Sequence, residues 1–302
     1  MRRNLLDQPG DRRSHAVATP RGGGISIVAS MVLTFAFLAW MAPSVAWPIL
    51  SIGVGMLLVA AIGWIDDHRQ LSPWSRLCIH ALASGLLAWA TRASGGDAMD
   101  VVLAFAMALV LINVWNFMDG IDGLAASQAA IVAGGYAWLS TGAASWMALA
   151  LLAVICGFLP HNFPKARIFL GDVGSGTLGY MLAALMVAAA MADGGGPSAW
   201  ALVLLPVSVF LIDASLTLGM RILRREAWWT PHVQHAYQRW AKRAGSHPRV
   251  TLAYALATSG TLLAMVCVHS SPATHRIAML GAIWLAGGVG WCWLQRRLIH
   301  NP

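Results

Sequence analysis

Ten apolar runs separated by short polar breaks constrain what this chain can fold into. They lie at about 25–41, 49–65, 77–91, 101–117, 125–140, 145–161, 175–192, 199–220, 250–268 and 276–294. Runs of this kind, without the alternation a barrel strand needs, predict membrane-spanning helices, because in lipid the backbone must satisfy its own hydrogen bonds. Of the 302 residues, 58% are hydrophobic and only 11% are charged. That charged fraction is about half that of a soluble domain. The expected fold is an all-α polytopic membrane protein of about ten transmembrane helices. A single integral-membrane domain would cover 1–302, with a large cytoplasmic loop at 221–249. The Ala/Gly-rich runs at 125–140 and 145–161 are the weakest spans, and their small side chains suit close helix packing.

Charge gives the orientation. If the first run starts from the cytoplasm, 18 of the 20 Lys and Arg residues fall on that side, and only Arg92 and Arg276 lie outside. Both termini are then cytoplasmic. The net charge of +8 describes a basic face suited to anionic membrane lipids or phosphorylated substrates, not to nucleic acid. Cys78, Cys156, Cys267 and Cys292 sit in apolar runs without metal spacing and read as small hydrophobes. Residues 1–24 have no apolar core, so no cleavable signal is expected. Trp40, Trp47, Trp74, Trp200, Trp228 and Trp229 fall near run ends and read as interfacial anchors.

With this topology every polar cluster lands on the cytoplasmic side. Asn113, Asn116, Asp119 and Asp122 follow one another at three-residue intervals where the fourth run meets water. Burying such groups near hydrocarbon is costly unless they are paired or bind something. Asp66 and Asp67 end the second run, where carboxylates oppose the helix dipole unless a cation or metal compensates. Asn162 and Lys165 lie in His161–Lys165, Asp172 lies in Phe169–Gly176, and Arg21 precedes three glycines. His232 and His235, three residues apart, could share one helix face. They suit a phosphate-contacting or acid/base role better than zinc, since no further ligand stands at conventional spacing. His80 reads as a packed interior residue. Asp213, inside the eighth run, is either a functional acid or the partner of Arg221 or Arg224.

Carboxylates suit Mg²⁺, which also takes phosphate oxygens; Lys and Arg stabilise a transferring phosphoryl group, and glycine-rich turns can cradle phosphates. Together the clusters predict phosphoryl transfer from a nucleotide-type diphosphate beside a lipid acceptor. The alternative is a lipid or solute transporter or flippase without transferase chemistry. It would place polar groups near the bilayer midplane, where only Asp213 qualifies.

The ordered segments TPRGGG, GWIDD, NVWNFMDGIDGLA, NFPKARIFLGDVGSGTLG and HVQHAYQR resemble the polyprenyl-phosphate N-acetylhexosamine-1-phosphate transferase family, glycosyltransferase family 4. The resemblance runs from Asp7 to Arg239 and is nearest the O-antigen-initiating branch. It implies transfer of a sugar 1-phosphate from a UDP-N-acetylhexosamine to undecaprenyl phosphate in the bacterial inner membrane, releasing UMP, with Mg²⁺ or, in its place, Mn²⁺. A homodimer is a compatible assembly. By matching motif, Asp66 and Asp67 stand at the family's aspartate pair, the first as candidate base for the lipid phosphate. Asp172 matches the Mg²⁺-binding aspartate, and Asn116 and Asp119 match residues lining the catalytic cleft. Gly120, Ile121, Asp122, Asn162 and Phe169 match the nucleoside pocket, with Phe169 stacking on uracil. Arg76 matches a cation near the phosphates.

Three departures stand out. Gln70 replaces the lysine that the family's phospho-MurNAc-pentapeptide translocase carries after the aspartate pair, which passes phosphate neutralisation to Arg69, Arg76 or Lys165. His232-Val-Gln-His235 replaces that enzyme's run of three histidines, which argues against a MurNAc-pentapeptide donor and favours a 6-deoxy or otherwise modified N-acetylhexosamine. Such relatives also begin with a further membrane helix, so this chain is expected to lack one.

Overall fold

The computed structural model describes Leu6 and Asp7, residues 19–227, Thr230 and residues 233–300. Twelve α-helices carry the described chain: α1 Gly24–Met41, α2 Ala46–His68, α3 Pro73–Ala93, α4 Ala98–Phe117, α5 Leu124–Leu139, α6 Gly142–Asn162, α7 Gly171–Ala192, α8 Gly196–Leu204, α9 Ser208–Leu223, α10 Ala236–Ala244, α11 His247–Val268 and α12 Ala273–His300. A 3₁₀ turn at Pro43–Val45 leads into α2. The one described sheet pairs β1, Leu6–Asp7, antiparallel with β2, Thr19–Pro20.

Each expected apolar run falls on a helix, the eighth on the α8–α9 pair, which bends by 86°. The expectation of about ten spans is close. Among the described residues, seven helices are long and apolar enough to cross a membrane, or eight if the bent pair is one span. Of the other two, α5 has only 16 residues, about 24 Å at the helical rise, and α3 carries Arg76, His80 and Arg92. The chain is a multi-pass membrane protein.

α7 is buried along almost its whole length and packs on α1, α2, α4 and α5. Its axis comes close because side chains are missing where the backbones meet. A β-carbon on Gly63 of α2 would lie 2.6 Å from the Asp172 carbonyl, and one on Gly24 of α1 would overlap Gly174. α12, by contrast, turns nearly all of its apolar length outward, with Leu285 72% exposed. Trp40, Trp47 and Trp74 are exposed on the outside of the bundle, as anchors require. Trp200 is not an anchor: it is buried and donates its Nε1–H to Asp100 Oδ1 at 2.8 Å. Trp228 and Trp229 lie outside the described residues.

The polar contacts gather at two ends of the bundle. At one end Asp193 pairs with Arg276 and lies 3.5 Å from His269, while Asp97 and Asp100 cap α4 reciprocally. The other end holds the turn after α2, the loop after α4, the segment before α7, and α10.

Candidate active site

α2 ends in Asp66-Asp67 because its apolar run stops there, and a short turn leads into α3. Ser72 starts that helix, accepting from the Ser75 N–H at 3.1 Å, with Pro73 at the first helical position. The reversal swings Arg76 back over Asp66. Arg76 Nη1 donates to Asp66 Oδ2 at 2.7 Å and lies 3.7 Å from Asp172 Oδ2, while the Leu71 N–H donates to Asp66 Oδ1 at 2.7 Å.

Asp67 serves the start of α7. Its Oδ2 accepts the Asp172 N–H at 3.0 Å, one of the amides that a helix start leaves unpaired. Arg21 approaches Asp67 Oδ1 to 3.6 Å. The chain after β2 is tied to the segment before α7: the Phe169 N–H donates to Pro20, and the Gly23 N–H donates back to Phe169, each at 2.9 Å. Arg21 and Phe169 therefore sit side by side at the mouth of the site.

Asn116, in the last turn of α4, donates Nδ2–H to Asp172 Oδ1 at 2.9 Å and to Ser175 at 3.2 Å. Three residues on, Asp119 stands partly exposed in the loop. Burial and then the charges of Asp172 and Asp67 push it up to about 8, against the opposing pull of Arg21. Asp66, Asp67, Asp119 and Asp172 thus come from three different stretches of the chain to one place. Two guanidiniums, Arg21 and Arg76, stand among them.

The donor set is oxygen only, and two guanidiniums among four carboxylates leave its negative charge incompletely cancelled. Such a set fits a hard divalent cation. Among the described residues no three His, Cys, Asp or Glu side chains are grouped so as to hold a metal ion between them. Mg²⁺ is commonly held in this open way, by one or two carboxylates with water and substrate phosphates completing its shell.

Other expected site residues are placed differently. Asn162 is 3% exposed and commits both ends of its amide to the protein, accepting from the Gly123 N–H at 3.1 Å and donating to the Ile168 carbonyl at 3.0 Å. It braces two loops. Asp122 lies 3.2 Å from His247 Nδ1 at the start of α11, and its carbonyl accepts from Thr251 Oγ1 at 2.8 Å. Ile121 is buried, and Gly120 abuts the Tyr237 hydroxyl. Lys165 is exposed. His235 is buried, with its ring between Phe117 and Tyr237, and burial holds it below the usual imidazole range against the pull of Asp213. It packs in the interior, 3.9 Å from Asp213 Oδ1, not as an exposed acid or base. His232 lies outside the described residues.

Asp213 pairs with neither arginine expected of it. Arg221 turns to Glu226 at 3.0 Å and to the Ala227 and Thr230 carbonyls. His247, Thr251 and Tyr237 were not singled out by sequence reasoning. They lie more than a hundred residues from the loop they hold, and no local spacing announces a contact of that kind.

Residues 49–190 match the family described as glycosyl transferase family 4. The decaprenyl-phosphate N-acetylglucosaminephosphotransferase of Mycobacterium tuberculosis is 29% identical over 92% of this chain and 80% of its own length. The protein of the same description from Mycolicibacterium smegmatis is 31% identical, covering 81% of this chain and 70% of that protein. The probable undecaprenyl-phosphate N-acetylglucosaminyl 1-phosphate transferase of Bacillus subtilis is 27% identical over 78% of this chain and 69% of its own. With the converging aspartates and this span of similarity together, the chain belongs to glycosyl transferase family 4, among the polyprenyl-phosphate hexosamine-1-phosphate transferases.

Proposed function

We propose that the protein transfers an N-acetylhexosamine 1-phosphate from a UDP-sugar to undecaprenyl phosphate, giving the lipid-linked diphospho-sugar and UMP. This step would begin assembly of O-antigen or a related surface polysaccharide. The observation that carries the reading is the convergence of Asp66, Asp67, Asp119 and Asp172 with Arg21 and Arg76. The relatives' descriptions name polyprenyl phosphates of two lengths, decaprenyl and undecaprenyl, so the class of acceptor is better supported than its length.

In this reading an oxygen of the lipid phosphate attacks the β-phosphorus of the donor in line, and the bond to the UMP oxygen breaks. Asp66 takes the proton of the lipid phosphate, and Arg76, hydrogen-bonded to it, shifts toward the phosphates as that proton moves. Arg21 and Arg76 offset charge on the transferring group. Asp172 would hold Mg²⁺ together with substrate phosphates and water, with Asn116 fixing its carboxylate and Asp119 and Asp67 adding negative charge beside it. When bound, Mg²⁺ supplies Lewis-acid stabilisation of the diphosphate and its departing oxygen. Phe169, at the mouth, offers a ring for uracil to stack on. The site end of the bundle would face the cytoplasm of the inner membrane, since 18 of the 20 basic residues belong to that side of the charge pattern.

The test is UMP release by purified protein with undecaprenyl or decaprenyl phosphate and a panel of UDP-GlcNAc, UDP-FucNAc, UDP-QuiNAc and diacetamido-sugar donors, with Mg²⁺ and with EDTA. Release that needs acceptor, donor and cation together is expected. No release from any combination would overturn the reading. A labelled covalent enzyme formed with UDP-sugar alone would replace direct attack by a two-step route through Asp66 or Asp119.

A further inference from the structure

Asp213, in the second turn of α9, is 2% exposed and accepts hydrogen bonds from four elements. Its Oδ1 takes the Ala236 N–H at 2.9 Å, Trp291 Nε1–H at 3.0 Å and Thr217 Oγ1–H at 3.2 Å. Its Oδ2 takes the Tyr254 hydroxyl at 2.7 Å and the Tyr237 N–H at 3.3 Å. Two of these donors are the first amides of α10, which no intrahelical carbonyl can reach. A carboxylate on another helix therefore caps α10 and places negative charge at the positive end of its dipole. This fixes α10 against α9, α11 and α12 at once.

α10 then reaches the catalytic loop through one side chain. The Tyr237 hydroxyl donates at 2.9 Å to the carbonyl of Phe117, at the end of α4 where carbonyls lose their helical partners. The same hydroxyl lies against Gly120, where any β-carbon would collide with it. The loop from Phe117 to Gly123 thus rests on Tyr237, and Tyr237 rests on Asp213. Both supports lie beyond residue 190, outside the region that matches the family.

We propose that Asp213 is a positioning residue for donor binding, acting through Tyr237 to set the placement of the loop that carries Asp119 and Gly120. This rests on the functional reading above, in which that loop meets the UDP-sugar. Asp213 itself touches no reacting atom.

The experiment measures steady-state transfer by Asp213→Asn, Tyr237→Phe and the double variant, varying donor and undecaprenyl phosphate separately, with melting temperatures alongside. Each single change should raise the donor KM about tenfold, as for loss of one well-placed hydrogen bond, and leave the acceptor KM unmoved. The double variant should be no worse than the weaker single, because both cut one line of support. Gly120→Ala should also raise the donor KM, and Tyr237→Phe should partly restore it by removing the atom the new methyl strikes. A purely structural role would not produce that restoration. If Asp213→Asn does not fold, Tyr237→Phe and its pairing with Gly120→Ala decide the matter. A donor KM within twofold of wild type in Tyr237→Phe, or additive losses in the double variant, would overturn the inference alone. A wild-type protein that releases no UMP from any donor would overturn the functional reading, and the inference with it.

Discussion

Asp119 and Asp213 are two acids at the same end of this molecule, and their surroundings treat them in opposite ways. Asp213 is enclosed by five donors, so its charge is fully solvated by protein and can serve as scaffold. Asp119 instead faces the like charges of Asp172 and Asp67, with only Arg21 in opposition. A carboxylate satisfied by amides holds chain segments together. Carboxylates crowded against one another are costly until a cation joins them, which is how a functional site differs from a brace made of the same residue type. The far end of the bundle repeats the scaffold pattern, with Asp193 neutralised by Arg276.

The contrast can be broken most sharply at Asp172. Asp172→Asn should lower transfer by about a thousandfold or more, while the melting temperature holds or rises because one repelling charge is gone. Retained activity in the UMP-release assay would remove Asp172 from the cation role and erase the distinction between the two kinds of acid.

A smaller effect should appear in pH dependence. Asp119 is raised from 3.8 to about 8, so between these values the folded protein keeps a proton that the unfolded chain has lost. The stability this group contributes is therefore present at low pH and lost as pH rises through about 8. A bound cation expels the proton, so the Mg²⁺ concentration giving half of the full thermal shift should fall by about tenfold per unit between about pH 6 and 7.5. The dependence should flatten above about pH 8 and weaken in Asp119→Asn. Thermal melts across a Mg²⁺ titration at several pH values check this, and an unchanged midpoint would contradict it.

The smallest effect on activity should come from Asp193→Asn at the opposite end. Transfer should stay within about twofold of wild type, while the melting temperature falls by about 3–6 °C as Arg276 loses its partner. A larger loss of transfer would mean that the two ends are coupled and that the division into site and scaffold is too simple.

Much of the architecture is legible in the residues, because each apolar run must find lipid or core and each polar break must find water. That logic located ten helical segments to within a few residues, and hydropathy alone could not decide that the eighth breaks by 86° between Leu204 and Ser208. It also misread Trp200, since the sequence marks the end of a run and not whether that end turns inward to Asp100. Four aspartates in polar motifs could be picked out as a set, because unpaired acids beside hydrocarbon need an explanation. Their individual environments could not. Asn162 became a loop brace and His235 a buried ring, because both depend on what another segment presents.

By itself, the sequence determined a helical membrane protein with its acids and basic residues concentrated between particular runs, since hydrophobic burial and charge placement act locally and leave local traces. The tertiary structure alone decided which acid caps a helix and which faces its own kind. Those roles rest on hydrogen bonds between residues such as Asp213 and Tyr254, or Asp67 and the amide of Asp172, that come together only when the helices pack.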